Sequence, residues 1–165
     1  GGRHVYIYIL YGFLMSLELE GAQNLKQSDK ETCKDRIKDA IISRGEDFTR
    51  FMNCYSFGDD YMIEADPEDE VLEEFYNYGL DISMVSMGTF KDQKEPYLRY
   101  QLSWGGPSEE INFYQNGRVE FVFKDWFDYA SIEISHLEWV EWLKQYLEDI
   151  ELLTNQAFYK AWEGE

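Results

Sequence analysis

The sequence predicts a single α+β domain in which an antiparallel β-meander of three or four strands packs against helices. Two observations support this fold class. Residues 97–124 alternate between apolar and other side chains, which is the period of a strand with one buried face. Residues 28–44, 66–79 and 136–150 instead repeat apolar side chains at helical spacing. Helices packed on one face of an antiparallel sheet give an α+β architecture.

The first 27 residues are set apart from this domain, which we expect to span residues 28–165. Residues 4–15 are almost entirely apolar, and the stretch is too short to cross a bilayer as a helix. We expect residues 1–27 to form an apolar N-terminal strand or an extension. A signal peptide is disfavoured because only Arg3 precedes the apolar run and no small-residue cleavage site follows it.

The first helix is predicted from a capping box, in which Ser28 is the N-cap and Glu31 lies three residues later. The helix is expected to end near Arg44, because Gly45 follows and glycine commonly ends helices. Its buried stripe is predicted to comprise Cys33, Ile37, Ala40 and Ile41.

Two further helices have their own start signals. Asp66 and Pro67 are expected to begin a second helix, which ends at Gly79, because proline is well accommodated in the first turn. Ser135 and Glu138 form another capping box, which predicts a helix that continues to about residue 150.

The strands are predicted from alternation and turn residues. Residues 80–87 are expected to supply one strand, and the side chains predicted to face the core of the next are Leu98, Tyr100, Leu102 and Trp104. Asn116-Gly117 is the strongest signal for a two-residue hairpin turn, and alternating residues flank it on both sides.

The charge of the chain is strongly acidic and unevenly distributed. There are 33 Asp and Glu against 15 Lys and Arg, for a net charge of −18. Residues 51–90 hold ten acidic side chains and no Lys or Arg, and residues 125–165 hold ten against two lysines. Residues 1–50 and 91–124 are each neutral overall. Direct binding to nucleic acids or anionic membranes is disfavoured, because both would repel such a chain.

Side chains suited to catalysis are scarce. His4 and His136 are the only histidines, and neither lies in a nucleophile motif. Cys33 and Cys54 are too few for a disulfide framework, so we expect two reduced thiols in a cytoplasmic protein. The carboxylates that could hold a divalent cation are Asp59, Asp60, Glu64 and Asp66, but their spacing is not that of a calcium-binding loop.

Two predicted helices carry carboxylates opposite their apolar side chains. Like charges three and four residues apart repel by a few tenths of a kcal/mol per pair, and interleaved lysines usually relieve this repulsion. An acidic surface that meets a basic partner is one interpretation, and a solvated acidic surface is the other. The predicted partner-binding residues are Asp59, Asp60, Glu64, Asp66, Asp69, Glu70, Glu73, Glu74, Glu138, Glu141, Glu148 and Asp149.

Two segments resemble a stretch of small acidic proteins that phages and plasmids carry. The segments are residues 102–111, LSWGGPSEEI, and residues 125–130, DWFDYA, and the resemblance extends over residues 102–150. That group includes anti-CRISPR and anti-restriction proteins, several of which act as nucleic-acid mimics. The resemblance implies an inhibitor of a bacterial defence nuclease that acts in the cytoplasm of the bacterial host cell.

The charge pattern and the resemblance together predict an inhibitor and not an enzyme. We expect it to bind the basic nucleic-acid channel of a defence nuclease, foremost a CRISPR effector, and to block DNA access by acidic mimicry, without a cofactor. One alternative is an immunity or antitoxin-like protein that caps a basic toxin. Another is a carboxylate-dependent hydrolase or a metal-binding enzyme, which a concave pocket with buried carboxylates would favour.

Overall fold

The computed structural model describes residues 31–58, 61–64 and 69–164; for residues 56–58, 61–64 and 69 it describes the backbone alone. The helices are α1 (Cys33–Cys54), α2 (Asp69–Tyr76), α3 (Glu138–Asp149) and α4 (Asn155–Trp162). The strands are β1 (Tyr55–Gly58), β2 (Tyr61–Glu64), β3 (Asp81–Val85), β4 (Tyr97–Ser103), β5 (Ser108–Tyr114), β6 (Val119–Asp125) and β7 (Asp128–Glu133). Over the described ranges, no helix has both the length and the apolar character needed to cross a membrane.

The main sheet is an antiparallel meander in which β3 to β7 pair in chain order, while β1 and β2 form a separate hairpin. This confirms a single α+β domain, but the sheet has five strands and not three or four. The strand that the alternation missed is β7. Its inward residues include Ala130, a small side chain that adds little to a hydrophobic pattern, and the partly buried Ile132.

Helix α1 differs from its prediction at both ends. Thr32 and not Ser28 is the N-cap: its hydroxyl accepts from the Asp35 backbone N–H, and the Asp35 carboxylate accepts from the Thr32 N–H. Ser28 lies outside the described residues. The predicted end at Gly45 is wrong, because the helix continues for nine residues beyond it, to Cys54.

The start of α3 is also different from the predicted capping box. The N-cap is Leu137, and no side chain caps the helix. The Ser135 hydroxyl instead accepts a hydrogen bond of 2.9 Å from the Val119 backbone N–H and donates to Glu133. Ser135 therefore connects the end of β7 to the start of β6. The side chain that was predicted to cap α3 instead forms hydrogen bonds within the sheet.

The hydrophobic core lies between one face of the sheet and the helices α1, α2 and α3. The Phe48 ring of α1 stacks on Trp139 of α3, with centroids 5.1 Å apart and planes at 4°. The side chains that the sheet buries against them include Leu98, Tyr100, Leu102, Ile111, Phe113, Val119, Phe121 and Phe123. Trp104, predicted to face the core, is instead 58% exposed, because β4 ends at Ser103 and Trp104 lies in the following turn.

The Asn116-Gly117 hairpin forms where it was predicted, but its turn is longer. The Tyr114 N–H donates to the Arg118 carbonyl at 2.9 Å, which leaves a three-residue loop of residues 115–117. Gly117 has a φ of 92°, the left-handed conformation that ends a loop of this length. The Asn116 side chain accepts from the Arg118 N–H at 2.9 Å and closes the turn locally.

Candidate interaction surfaces

Helices α2 and α3 are in contact where one aromatic ring of α2 meets two of α3. The Phe75 ring of α2 lies 5.0 Å from the Trp142 ring and 4.9 Å from the Tyr146 ring of α3, measured between centroids. Each helix buries its apolar stripe and turns its other side to solvent. That outward side carries the carboxylates, because acidic and apolar residues occupy opposite arcs of each helix.

The structure exposes seven of the predicted partner-binding residues. These residues, which we call the acidic helical face, are Glu70, Glu73, Glu74, Glu138, Glu141, Glu148 and Asp149. Glu64 ends β2 and Asp69 begins α2, and the structure describes their backbone alone. The remaining predicted residues, Asp59, Asp60 and Asp66, lie outside the described residues.

One carboxylate of this face has a cationic partner from another helix. Arg50 of α1 donates two hydrogen bonds to the two carboxylate oxygens of Glu74, one of them at 2.9 Å. The hydrogen bond from Arg50 lowers the pKa of Glu74. Like-charge repulsion on α2 is thus relieved at Glu74, through a residue distant in sequence that helical spacing within residues 66–79 could not reveal.

A second member of the face is also engaged. The Gln145 amide of α3 donates to the Asp149 carboxylate at 2.9 Å, one turn along the same helix. The cation within α3, Lys144, is only partly exposed, and its ammonium lies near the hairpin turn at Gly117. The positive charge on this helix therefore lies close to the hairpin turn of the sheet.

The grooves of the described residues do not resemble a carboxylate-based active site. A groove of about 680 Å³ is lined largely by apolar groups, among them Ile41, Gly45 and Trp139. A smaller groove, of about 390 Å³, is lined by the carboxylates of Glu31, Asp39 and Glu109. The first two are exposed, and Arg44 donates two hydrogen bonds to Glu109, at 2.9 and 3.3 Å. Among residues 31–58, 61–64 and 69–164, no three His, Cys, Asp or Glu side chains are grouped as metal ligands would be.

Partly buried titratable groups between α1 and the sheet form a hydrogen-bonded cluster. The Tyr78 hydroxyl donates to the Asp47 carboxylate and accepts from Arg44 at 3.2 Å. Burial, together with the bond to Asp47, raises the pKa of Tyr78 to about 12. Because Arg44 also pairs with Glu109, the cluster joins α1 to β5. Its evident role is to fix the helix on the sheet.

A second surface, which the sequence did not predict, lies at one end of the sheet. Ser103 pairs with Glu109, and Ser108 pairs with Lys124, so the β4–β5 and β6–β7 turns are neighbours. These turns carry three exposed rings, Trp104, Trp126 and Phe127, which we call the aromatic end. Trp126 is 90% exposed and Phe127 is fully exposed. The Trp104 ring lies 5.7 Å from the guanidinium carbon of Arg99.

Helix α1 holds the β6–β7 turn on both sides of the exposed pair. Arg36 forms an ion pair with Asp125, the last residue of β6. Asp128, the first residue of β7, accepts a 2.8 Å hydrogen bond from the Cys33 backbone N–H at the start of α1. A carboxylate is favourable at this position, because the first N–H groups of a helix lack partners within it. The turn is therefore anchored while its two rings point to solvent.

The sequence did contain a signal for this surface. Both turns belong to residues 102–111 and 125–130, the two segments on which the predicted resemblance rests. The informative pattern is two adjacent aromatic residues between Asp125 and Asp128, where Gly, Asn or Asp would suit a tight turn better. Comparisons of the chain with protein-family models, curated proteins and solved structures found no match.

Proposed function

We propose that this protein inhibits a bacterial defence nuclease, foremost a CRISPR effector. It binds the basic nucleic-acid channel of the nuclease through the acidic helical face and blocks the access of DNA. The observation that supports this most is the packing of α2 against α3, which leaves carboxylates exposed on two adjacent helices. The mechanism needs no cofactor and no catalytic residue, and it operates in the cytoplasm of the bacterial host.

Electrostatics gives this surface a physical basis for mimicry. Carboxylates three and four residues apart on a helix lie about 5–6 Å from each other. Phosphates advance by about 3.4 Å per residue along the axis of one DNA strand, so the row of carboxylates is sparser than a DNA strand but of the same order of density. A cationic channel built for phosphates would attract such a row, and complementary charge mainly accelerates association.

The same acidic face would also suit a basic toxin, which is the immunity-protein alternative. Both partners present a cationic surface, so charge by itself does not separate them. Competition with DNA for the partner distinguishes a nuclease inhibitor from an immunity protein. An inhibitor that occupies a nucleic-acid channel excludes DNA from it, whereas an immunity protein can neutralise a toxin that binds no DNA.

The first experiment compares two variants with equal changes of charge. The test variant neutralises part of the acidic helical face: Glu70→Gln, Glu73→Gln, Glu138→Gln and Glu141→Gln. The control neutralises four exposed carboxylates elsewhere: Glu31→Gln, Asp39→Asn, Asp81→Asn and Glu163→Gln. Glu74 and Asp149 stay unchanged in both, because Arg50 and Gln145 donate hydrogen bonds to them.

The measurement is binding and cleavage of labelled DNA by a panel of purified CRISPR and restriction nucleases, across a salt series. We expect the unaltered protein to displace DNA from at least one nuclease, with an affinity that falls steeply as salt rises. The test variant should inhibit much less than the control variant. The proposal fails if no nuclease in the panel is inhibited, if DNA remains bound during inhibition, or if the two variants lose inhibition equally.

A further inference from the structure

The aromatic end presents apolar surface that the fold itself does not use. Single exposed hydrophobic residues are ordinary on protein surfaces. Two adjacent exposed rings on one turn, with a third on the neighbouring turn, are different, since clustered exposed apolar side chains are typical of interaction sites. Trp126 and Phe127 together lose almost no exposed area when the chain folds, so burial in the core cannot explain them.

The backbone of this turn also departs from what folding alone would favour. Trp126 has a φ of 56° and is the first of the two residues that join β6 to β7. Glycine, asparagine or aspartate normally occupies such a position, and a bulky side chain there is strained. The strain and the exposure fall on the same residue. Strain of this kind is concentrated at functional sites, where the surrounding structure maintains it.

The backbone on both sides of the rings is also held in place before any partner binds. The ion pair between Arg36 and Asp125 and the hydrogen bond from Cys33 to Asp128 attach both strands of the turn to α1. A surface that is ordered in advance loses less conformational entropy on binding. Tryptophan is also among the residues that most often dominate the binding energy of protein interfaces.

The charge of the molecule selects the class of partner. With a net charge of −18, the chain repels a second copy of itself, nucleic acid and anionic lipid. At the surface itself, Asp128 is exposed beside the two rings, whereas the nearby cations Arg36 and Lys124 are paired with Asp125 and Glu110. We propose that the aromatic end is a docking surface for a protein segment that combines apolar residues with flanking lysines or arginines. This inference does not depend on the partner being a nuclease.

The test uses the full chain and two variants that leave its charge unchanged. The first, Trp126→Gly with Phe127→Ser, removes the rings and relieves the strained φ, so its melting temperature should equal or exceed that of the parent. The second, Phe90→Ser with Tyr159→Ser, removes two exposed rings that lie elsewhere. The probe is a library of displayed random peptides, selected on the unaltered protein.

We expect the selected peptides to combine apolar residues with Lys or Arg and to lose affinity for the Trp126–Phe127 variant by about tenfold or more. The Phe90–Tyr159 variant should bind them like the parent. Because charge is equal in all three proteins, any difference reports the rings. Peptides that bind all three proteins alike, or a selection that yields none, would overturn the inference. So would ring-dependent binding to phosphatidylcholine vesicles or ring-dependent dimerisation in sedimentation, in place of peptide binding.

Discussion

Gly45 of α1 lies so close to the indole of Trp139 that a Cβ atom at position 45 would be 2.9 Å from the indole nitrogen. Gly45→Ala should therefore destabilise the protein although alanine is the better helix former by about 1 kcal/mol. The indole is stacked on Phe48 and has little room to move, and overpacking a core costs about 1–3 kcal/mol. Urea denaturation of the variant and the parent measures the effect.

The control for this prediction is Ser43→Ala, a change to alanine on the exposed side of the same helix. It should leave the free energy of unfolding unchanged or raise it slightly, since only helix propensity changes there. If Gly45→Ala is as stable as Ser43→Ala, the contact between Gly45 and Trp139 does not limit the packing of the two helices.

Gly45 also shows where sequence reasoning about the fold succeeded and failed. Helical and strand periods located α1 to α3 and β3 to β6, because those periods reflect which face is buried. Glycine at the end of an apolar pattern is ambiguous, since it can end a helix or admit a neighbouring side chain. Only the tertiary contact with Trp139 distinguishes the two, and nothing local to α1 encodes that contact.

The sequence likewise predicted one part of the candidate surfaces and missed another. Helical spacing predicted which carboxylates on α2 and α3 are exposed, because their apolar partners must face inward. It could not predict that Arg50 would reach Glu74, since 24 residues separate them. The exposure of Trp126 could not be predicted for a different reason. An aromatic residue beside a strand is usually expected to face the core.

The hairpin turn at Gly117 gives a prediction about backbone strain. Gly117→Val should destabilise the protein, because a φ of 92° is unfavourable for a β-branched residue. The cost of a left-handed conformation is about 1–2 kcal/mol for ordinary residues. Gly117→Asn should cost less, since asparagine tolerates this region. Thermal melts of the two variants test the order, and equal melting temperatures would contradict the turn geometry.

Tyr78 gives a prediction about alkaline pH. Its pKa is about 12 in the folded protein and about 10 when exposed, so the unfolded chain releases the Tyr78 proton first. The stability contributed by the neutral hydroxyl is therefore complete below about pH 10 and is lost as the pH rises towards 12. Tyr78→Phe should be less stable than the parent at neutral pH, because Asp47 loses a hydrogen bond.

The difference in the free energy of unfolding between the parent and Tyr78→Phe should then narrow above about pH 10, since phenylalanine has no proton to lose. Urea midpoints measured in steps from neutral to alkaline pH give this difference directly. Other tyrosines titrate in both proteins and cancel in the comparison. A difference that stays constant over the range would mean that Tyr78 does not hold its proton more tightly in the folded state.

The two cysteines should differ sharply in reactivity. Cys33 is 1% exposed, and burial followed by the nearby Asp128 raises the pKa of its thiol to about 11. Thiolates are the reactive form, so Cys33 should resist iodoacetamide until the protein unfolds. Cys54 is partly exposed and should react first. Mass spectrometry of Cys33→Ser and Cys54→Ser assigns each rate; rapid labelling of Cys54→Ser would contradict the burial of Cys33.

The acidic helical face should limit stability at low salt. Glu70 and Glu73 are exposed, lie three residues apart on α2, and share the helix with other carboxylates. Each like-charge pair costs a few tenths of a kcal/mol, and salt screens it over about 8–10 Å. Added salt should therefore stabilise the parent, and Glu70→Gln with Glu73→Gln should stabilise it at low salt.

Glu74→Gln is the matched comparison, because it removes the same charge from the same helix but also removes the partner of Arg50. An exposed ion pair is worth about 0–1 kcal/mol, so this variant should gain less stability than the other or lose some. Urea midpoints at low and high salt separate the two effects: the Glu70–Glu73 variant should converge on the parent as salt rises. If the stability of the parent is insensitive to salt, repulsion on this face is negligible. The carboxylates would then not destabilise the fold, and partner binding would have no repulsion to relieve.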